Sequence, residues 1–154
     1  MYPILIQNIV IWGGISEANI RCIKTTLNNI LRNILKVEYD ENNVPLMSTA
    51  EMYKKLKFLK FDDVYKYFLL RFIHDVFYRQ SHFYNEYYAP LLPSHSYGTR
   101  GVRISLPSVR LEVEKQSTLF QTCKLLNELP NELLEPQSKG TLKRKYKCMV
   151  LAQY

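Results

Sequence analysis

The sequence predicts a mainly α fold: a small helical domain of about five helices with long loops, and one short N-terminal strand or helix. Three observations predict it. Over residues 17–36, Ile20, Ile23, Leu27, Ile30, Leu31 and Ile34 recur at spacings of three and four, the period of an amphipathic helix. Over residues 65–76, Tyr65, Phe68, Leu69, Phe72, Ile73 and Val76 repeat that period with an aromatic accent. Between them, Ser48-Thr49-Ala50-Glu51 spells a capping box, in which a serine hydroxyl and a glutamate carboxylate each take one orphan amide of a helix start. With 154 residues, 47% hydrophobic and 23% charged, the chain can bury one core and lacks the composition of a disordered segment.

Taken in order, residues 1–12 are rich in β-branched side chains and read as strand by propensity, with a helix as the open alternative. Gly13-Gly14 turns the chain, and Ser16 is placed to cap the helix over 17–36, with Arg21, Lys24, Asn28 and Arg32 facing away from the core. Residues 37–45 form an acidic loop carrying Glu38, Asp40 and Glu41. The capping box opens a short helix to about Leu56. A break follows near residues 58–61, and Asp62 or Asp63 caps the long aromatic helix to about Tyr78, where negative charge also suits the helix dipole. Residues 80–92 read as a loop or short helix packed on the core. Residues 94–108 read as loop, and residues 109–129 as helix from about Glu112. Pro130 ends that helix or starts the next turn, residues 131–140 form a polar linker, and residues 141–153 form a last basic helix. The organisation falls into a helical core over 1–92 and a basic loop with C-terminal helices over 93–154.

The net charge of +7 is unevenly placed. Residues 1–50 carry four basic and four acidic side chains, residues 51–90 seven and five, and residues 91–154 ten and five. A polyanion is therefore held best by the C-terminal third. Cys22, Cys123 and Cys148 are odd in number and lack C-x-x-C spacing, so they read as reduced thiols of an intracellular protein, nuclear or cytoplasmic, rather than as zinc ligands. No apolar run reaches the ~18–20 residues of a membrane span, and no membrane partner is expected. A signal peptide is the alternative reading of the apolar N-terminus.

Several short motifs stand in one order: Ile11-Trp12-Gly13-Gly14; the run from Leu56 through Phe61-Asp62-Asp63-Val64-Tyr65 to Lys66; His95-Ser96-Tyr97-Gly98-Thr99-Arg100; Leu125-Leu126-Asn127-Glu128-Leu129-Pro130; and Leu142-Lys143-Arg144-Lys145-Tyr146-Lys147. This order resembles the C-terminal, post-polymerase region of jockey-like non-LTR (LINE-type) retrotransposon reverse transcriptases, over nearly the whole chain. The chain departs from that pattern with Gly98 for Asn, Leu126 for Trp, Thr122-Cys123 for Gly-Pro and Leu142 for Phe. The resemblance implies a thumb-proximal helical segment for residues 1–92. It also places the palm, with the catalytic aspartates and Mg2+ of an RNA-directed DNA polymerase, outside this chain.

The chain's own chemistry-bearing residues point to binding rather than catalysis. Phe61-Asp62-Asp63 lacks the spacer of the aromatic-x-Asp-Asp hairpin and leads into a helix pattern, so it reads as a helix start. His74, His82 and His95 lack metal-binding spacing and read as surface or loop histidines. Ser117 and Ser138 lie in no nucleophile elbow, and Gly13-Gly14 in no phosphate loop. No catalytic residue, metal ligand or cofactor is expected. The candidate nucleic-acid-binding residues are Arg100, Arg103, Arg110, Lys115, Lys124, Lys139, Lys143, Arg144, Lys145 and Lys147, with Tyr97 and Tyr146 able to stack on bases. The expected partner is an RNA or DNA phosphate backbone, joined by the absent polymerase domain or a second copy. The alternative is a stand-alone helical protein-interaction module, or a non-functional retrotransposon remnant, using the aromatic face of Phe68, Phe72, Phe77 and Tyr78.

Overall fold

The computed structural model describes residues 8–14, 16–42, 44–78, 82, 84–91, 104–134 and 138–154. These are mainly helical: α1 (Ile9–Trp12), α2 (Glu17–Leu35), α3 (Thr49–Leu56), α4 (Phe61–Tyr78), α5 (Thr118–Glu128), α6 (Asn131–Leu134) and α7 (Lys139–Ala152). A π-helical turn (Tyr84–Tyr88) and two 3-10 turns (Ala89–Leu91 and Glu114–Gln116) complete them. Among the described residues, β-type pairing is confined to one bridge between Tyr39 and Pro45.

Of the two readings open for the N-terminus, strand or helix, the described residues take the helix. Asn8 takes the left-handed conformation (φ 55°), its carbonyl accepts from the Ile11 amide at 2.8 Å, and Ile9 to Trp12 close a helical turn. Ile9 is buried and Trp12 stacks on Phe61 of α4 at 5.6 Å between centroids. Tertiary burial outweighs the β-propensity of this apolar run. Residues 1–7 lie outside the described residues, as does the loop motif 95–100.

Helix α2 buries Ile20, Leu27 and Leu31, but Ile34 at its C-terminal end is 60% exposed, so the apolar stripe runs past its covering partner. Ser16 precedes α2 without a side-chain cap bond; its carbonyl accepts from the Asn19 amide at 3.0 Å. Lys24 and Asn28, expected to face away, are half-buried. Lys24 bridges Glu17 (3.0 Å) and Asp62 (2.8 Å), and Asn28 accepts from the Tyr53 hydroxyl at 3.1 Å. The start of α4 and the flank of α3 occupy that side. After α2, one Asp40 carboxylate oxygen accepts from the amides of Asn42 (3.0 Å) and Val44 (2.7 Å), which folds the acidic loop into a tight turn.

The capping box at α3 forms in full. The Glu51 amide donates to the Ser48 hydroxyl at 3.3 Å, and the Ser48 amide donates to the Glu51 carboxylate at 2.9 Å. Helix α4 begins at Phe61, so Asp62 and Asp63 lie inside its first turn rather than capping it from outside. Its burial is wider than one stripe. Phe61, Val64, Leu70 and His74 are buried beside the expected Tyr65, Leu69, Ile73 and Val76, because α1, α5 and α7 all pack on it. His74 is thus no surface histidine; its ring Nε2 lies 2.7 Å from the Leu133 carbonyl oxygen. Phe77 meets Tyr84 and Tyr88 edge-on at 5.0 and 5.4 Å, and the Tyr88 hydroxyl pairs with that of Thr122 at 2.7 Å.

The helix expected from about Glu112 starts at Thr118. The Glu114 carboxylate accepts from the Arg110 (2.7 Å) and Leu111 (3.2 Å) amides, closing a local turn, and Ser117 then caps α5 through the Phe120 amide. The expected linker over 131–140 is shorter than read. Asn131 to Leu134 form a turn of helix, and Ser138, accepting from the Thr141 amide at 3.2 Å, starts α7 at Lys139. Side chains of α1, α2, α4, α5, α6 and α7 join one hydrophobic cluster centred on α4.

The approach of α1 to α4 depends on Gly13. A Cβ there would lie 2.4 Å from the Tyr65 ring and 2.5 Å from the Ile9 carbonyl oxygen. Gly140, in the first turn of α7, has its nearest neighbour 4.0 Å from such a Cβ. Urea denaturation should show Gly13→Ala destabilised by about 1–3 kcal/mol through overpacking. Gly140→Ala should be stabilised by up to about 1 kcal/mol, because alanine restricts the unfolded chain where the native helix accepts it.

Candidate nucleic-acid interface

The candidate basic residues arise from three places. Arg110 and Lys115 lie on the turns before α5, Lys124 on α5, and Lys139, Lys143, Arg144, Lys145 and Lys147 on α7. Arg100, Arg103 and Tyr97 lie outside the described residues. Three of the cations are engaged by carboxylates: Lys115 with Glu112 at 2.5 Å, Lys124 with Glu128 at 4.0 Å, and Lys139 with Asp75 of α4 at 3.2 Å. Lys143, Arg144, Lys145 and Lys147 form no ion pair among the described residues.

Helical geometry divides this last group. Leu142, Tyr146 and Val150 form the buried stripe of α7. At about 100° per residue, Lys143, Arg144 and Lys147 fall within an arc of about 100° on one flank, and Lys145 projects about 100° beyond Arg144. The contiguous run in sequence is therefore a triad plus one outlier in space. Lys143 and Arg144 are exposed and Lys147 is half-buried.

Tyr146 is corrected as a base-stacking candidate. It is 1% exposed, sits one turn from Leu142 and Val150, and its hydroxyl donates to the Asp63 carbonyl at 3.1 Å. Of the aromatic face named for a protein partner, Phe68, Phe72 and Phe77 are half-buried, each with one side on the core cluster. The sequence reading left out the cations of α3, Lys54, Lys55 and the capping Lys57, all exposed. The signal for them is the clustering of lysine at 54, 55, 57 and 60. Lys60, next in that run, stands over the Tyr154 ring at 4.2 Å from its centroid, and Tyr154 packs edge-on against Tyr53 of α3. The C-terminal end of α7 thereby meets the basic end of α3.

Phe61-Asp62-Asp63 is the first turn of α4, and its two carboxylates diverge. Asp62 pairs with Lys24, whereas Asp63 accepts from the Tyr154 hydroxyl, which itself accepts from the Lys60 amide at 2.9 Å. Among the described residues, no three His, Cys, Asp or Glu side chains converge as a metal centre would, and no helix is long and apolar enough to cross a membrane. Cys22 and Cys148 are exposed and Cys123 is buried, all as free thiols.

Burial raises several acids above their ordinary range. It pushes the Tyr65 phenol from 10.0 up to about 12 and the Cys123 thiol from 9.0 up to about 11. Burial, then the charge of Asp63, raises Tyr146; burial, then the bond to Asp63, raises Tyr154. No family model, curated protein or solved structure matches the chain.

The raised acids set an alkaline limit. In the unfolded chain these groups lose their protons at their ordinary values, while the folded chain still holds them, so the unfolded state binds fewer protons and stability falls as pH rises. The burial contribution is complete below about pH 8 and lost through about pH 11–12. Urea midpoints should therefore decline from about pH 8 to about pH 11. At neutral pH, a thiol reagent should label Cys22 and Cys148 and reach Cys123 only on unfolding.

Proposed function

We propose that this chain is the helical post-polymerase segment of a jockey-like non-LTR retrotransposon reverse transcriptase, holding RNA or DNA by its phosphate backbone and not polymerising by itself. The observation that carries the binding role is the flank of α7 on which Lys143, Arg144 and Lys147 stand within one arc, without carboxylate partners among the described residues. Cations already neutralised by a neighbour gain less from a phosphate than cations facing water, which puts Lys115, Lys124 and Lys139 second to this triad. The ordered motifs support the family reading. Of the positions where the chain departs from that pattern, Thr122, Cys123, Leu126 and Leu142 are all buried, so these departures act on packing and leave the basic flank as it is.

Phosphate contacts of this kind position a strand and read no base edges. Mg2+ and nucleotidyl transfer belong, in this reading, to the palm of the parent polymerase. Of the two stacking candidates, Tyr146 is buried in the core, so this reading rests on the charge of the α7 flank.

Fluorescence anisotropy with single-stranded RNA, single-stranded DNA and duplex, each titrated from about 50 to about 300 mM salt, tests the proposal. Affinity should fall steeply with salt and differ little between sequences. The triple variant Lys143→Gln, Arg144→Gln, Lys147→Gln should lower the slope of log K against log salt by about 2. The single variant Lys145→Gln should lower it by less. A wild-type chain that binds none of the three at low salt would sink the nucleic-acid role.

A further inference from the structure

Helices α4 and α7 lie antiparallel. Lys139 at the start of α7 meets Asp75 of α4 at 3.2 Å. Further along, the Tyr146 ring lies 5.8 Å from the Tyr67 ring, and its hydroxyl reaches the Asp63 carbonyl at 3.1 Å. Counting between these ties sets Lys143 level with Arg71 and Lys147 level with Tyr67.

The pair has two unlike sides. On one, a cavity of about 200 Å3 is lined by Lys66 of α4, Met149 of α7, and Leu125 and Glu128 of α5. At about 100° per residue, Arg71 projects from α4 on the far side of Asp63 and Tyr67 from Lys66. By the same count, Lys143 and Lys147 project from α7 on the far side of its buried stripe from Met149. In an antiparallel pair these two directions coincide, so Arg71, Lys143 and Lys147 share one seam, turned away from α5. Tyr154 extends that seam at the end of α7, where its ring carries Lys60 at 4.2 Å.

Folding thus gathers like charges. Arg71, Lys143 and Lys147 form no ion pair among the described residues. The two carboxylates nearest the seam are engaged, Asp75 by Lys139 and Asp63 by the Tyr154 hydroxyl. Neighbouring cations without counter-charges repel, and an anion placed between them relieves that cost. The spacing suits a row of anions. Lys143 and Lys147 differ by about 6 Å of helix rise, and Lys60 lies beyond them, so successive phosphates of one strand are met in turn. Midway stands Tyr67, half-buried, with its ring leaning on Tyr146. Burial raises its phenol above the ordinary value and the Arg71 charge opposes that rise, as a guanidinium beside the ring would. An aromatic surface inside a basic groove takes unpaired bases, which a duplex keeps stacked in its interior.

We infer that the seam between α4 and α7 holds single-stranded nucleic acid, with Arg71, Lys143, Lys147 and Lys60 along the phosphates and one base against Tyr67. This rests on the nucleic-acid reading of the α7 flank, and adds to it the form of the strand and three residues from outside α7.

Fluorescence anisotropy tests it with labelled single-stranded RNA of about 12 nucleotides and the matching duplex, using wild type, Arg71→Gln, Tyr67→Leu and Lys66→Gln. Circular dichroism checks that each variant folds. Arg71→Gln should lower the slope of log K against log salt by about 1. Lys66→Gln removes an equal charge from the other side of the same helix and should leave the slope as in wild type. Tyr67→Leu should weaken single-strand binding about five- to tenfold and leave duplex binding unchanged. If Tyr67→Leu does not fold, the comparison of Arg71→Gln with Lys66→Gln and of single strand with duplex decides alone. The seam is overturned, with the α7 reading intact, if the triple α7 variant lowers the slope and Arg71→Gln does not, or if Lys66→Gln lowers it as much. It is also overturned if wild type binds duplex as tightly as single strand. A wild-type chain that binds neither removes both.

Discussion

Helix α4 is surrounded, and the rest of the fold follows from covering it. Phe61, Val64, Tyr65, Leu69, Leu70, Ile73, His74 and Val76 are all buried, a set too wide for any single neighbour. Water is excluded only if α1, α5 and α7 arrive together, each with its own apolar stripe. Close approach then becomes a requirement, which is why the Tyr65 ring lies against the backbone at Gly13. The few polar groups drawn inward are answered individually: His74 by the Leu133 carbonyl, Tyr88 by Thr122, and Tyr146 by the Asp63 carbonyl. Tyr65 alone of these ring-bearing polar groups has its hydroxyl unanswered among the described residues.

This constraint sorts what the sequence makes legible. The start of α3 could be read because a capping box is local chemistry, complete within four residues. The helical period of α2 could be read because one face is covered and one is wet. The wide burial of α4 could not, since a period of 3.6 reports one stripe and is silent about a helix packed by three neighbours. The start of α5 was misplaced because Glu114 takes two amides into a turn of its own, so helix-forming residues from 112 onward wait for Ser117. Ile34 was assigned to the core because periodicity does not know where the neighbouring helix stops.

For the candidate site, the density of lysine and arginine near the C-terminus was plain from composition, but its geometry was not. Lys145 is adjacent in the chain to Arg144 and turned away from it in space. Tyr146, which in sequence looks interleaved with cations for stacking, sits on the buried stripe instead. The cleft between these helices has no local signature at all: Glu17, Asp62 and Glu128, with Lys66 and Lys124, are brought together only by packing of α2, α4 and α5.

The tie between Tyr154 and the first turn of α4 has a consequence for the chain as it is made. Its hydroxyl accepts from the Lys60 amide across 94 residues and donates to Asp63 across 91. At roughly 5–20 residues per second, synthesis leaves an interval of roughly 5–20 s in which α4 has emerged and this partner has not. During that interval the flank of α4 that Leu142, Tyr146 and Val150 later cover stays open to whatever else is near. A nascent chain stalled before α7 therefore presents an aromatic helix with one wall missing, a form for a chaperone to hold rather than a smaller version of the finished domain.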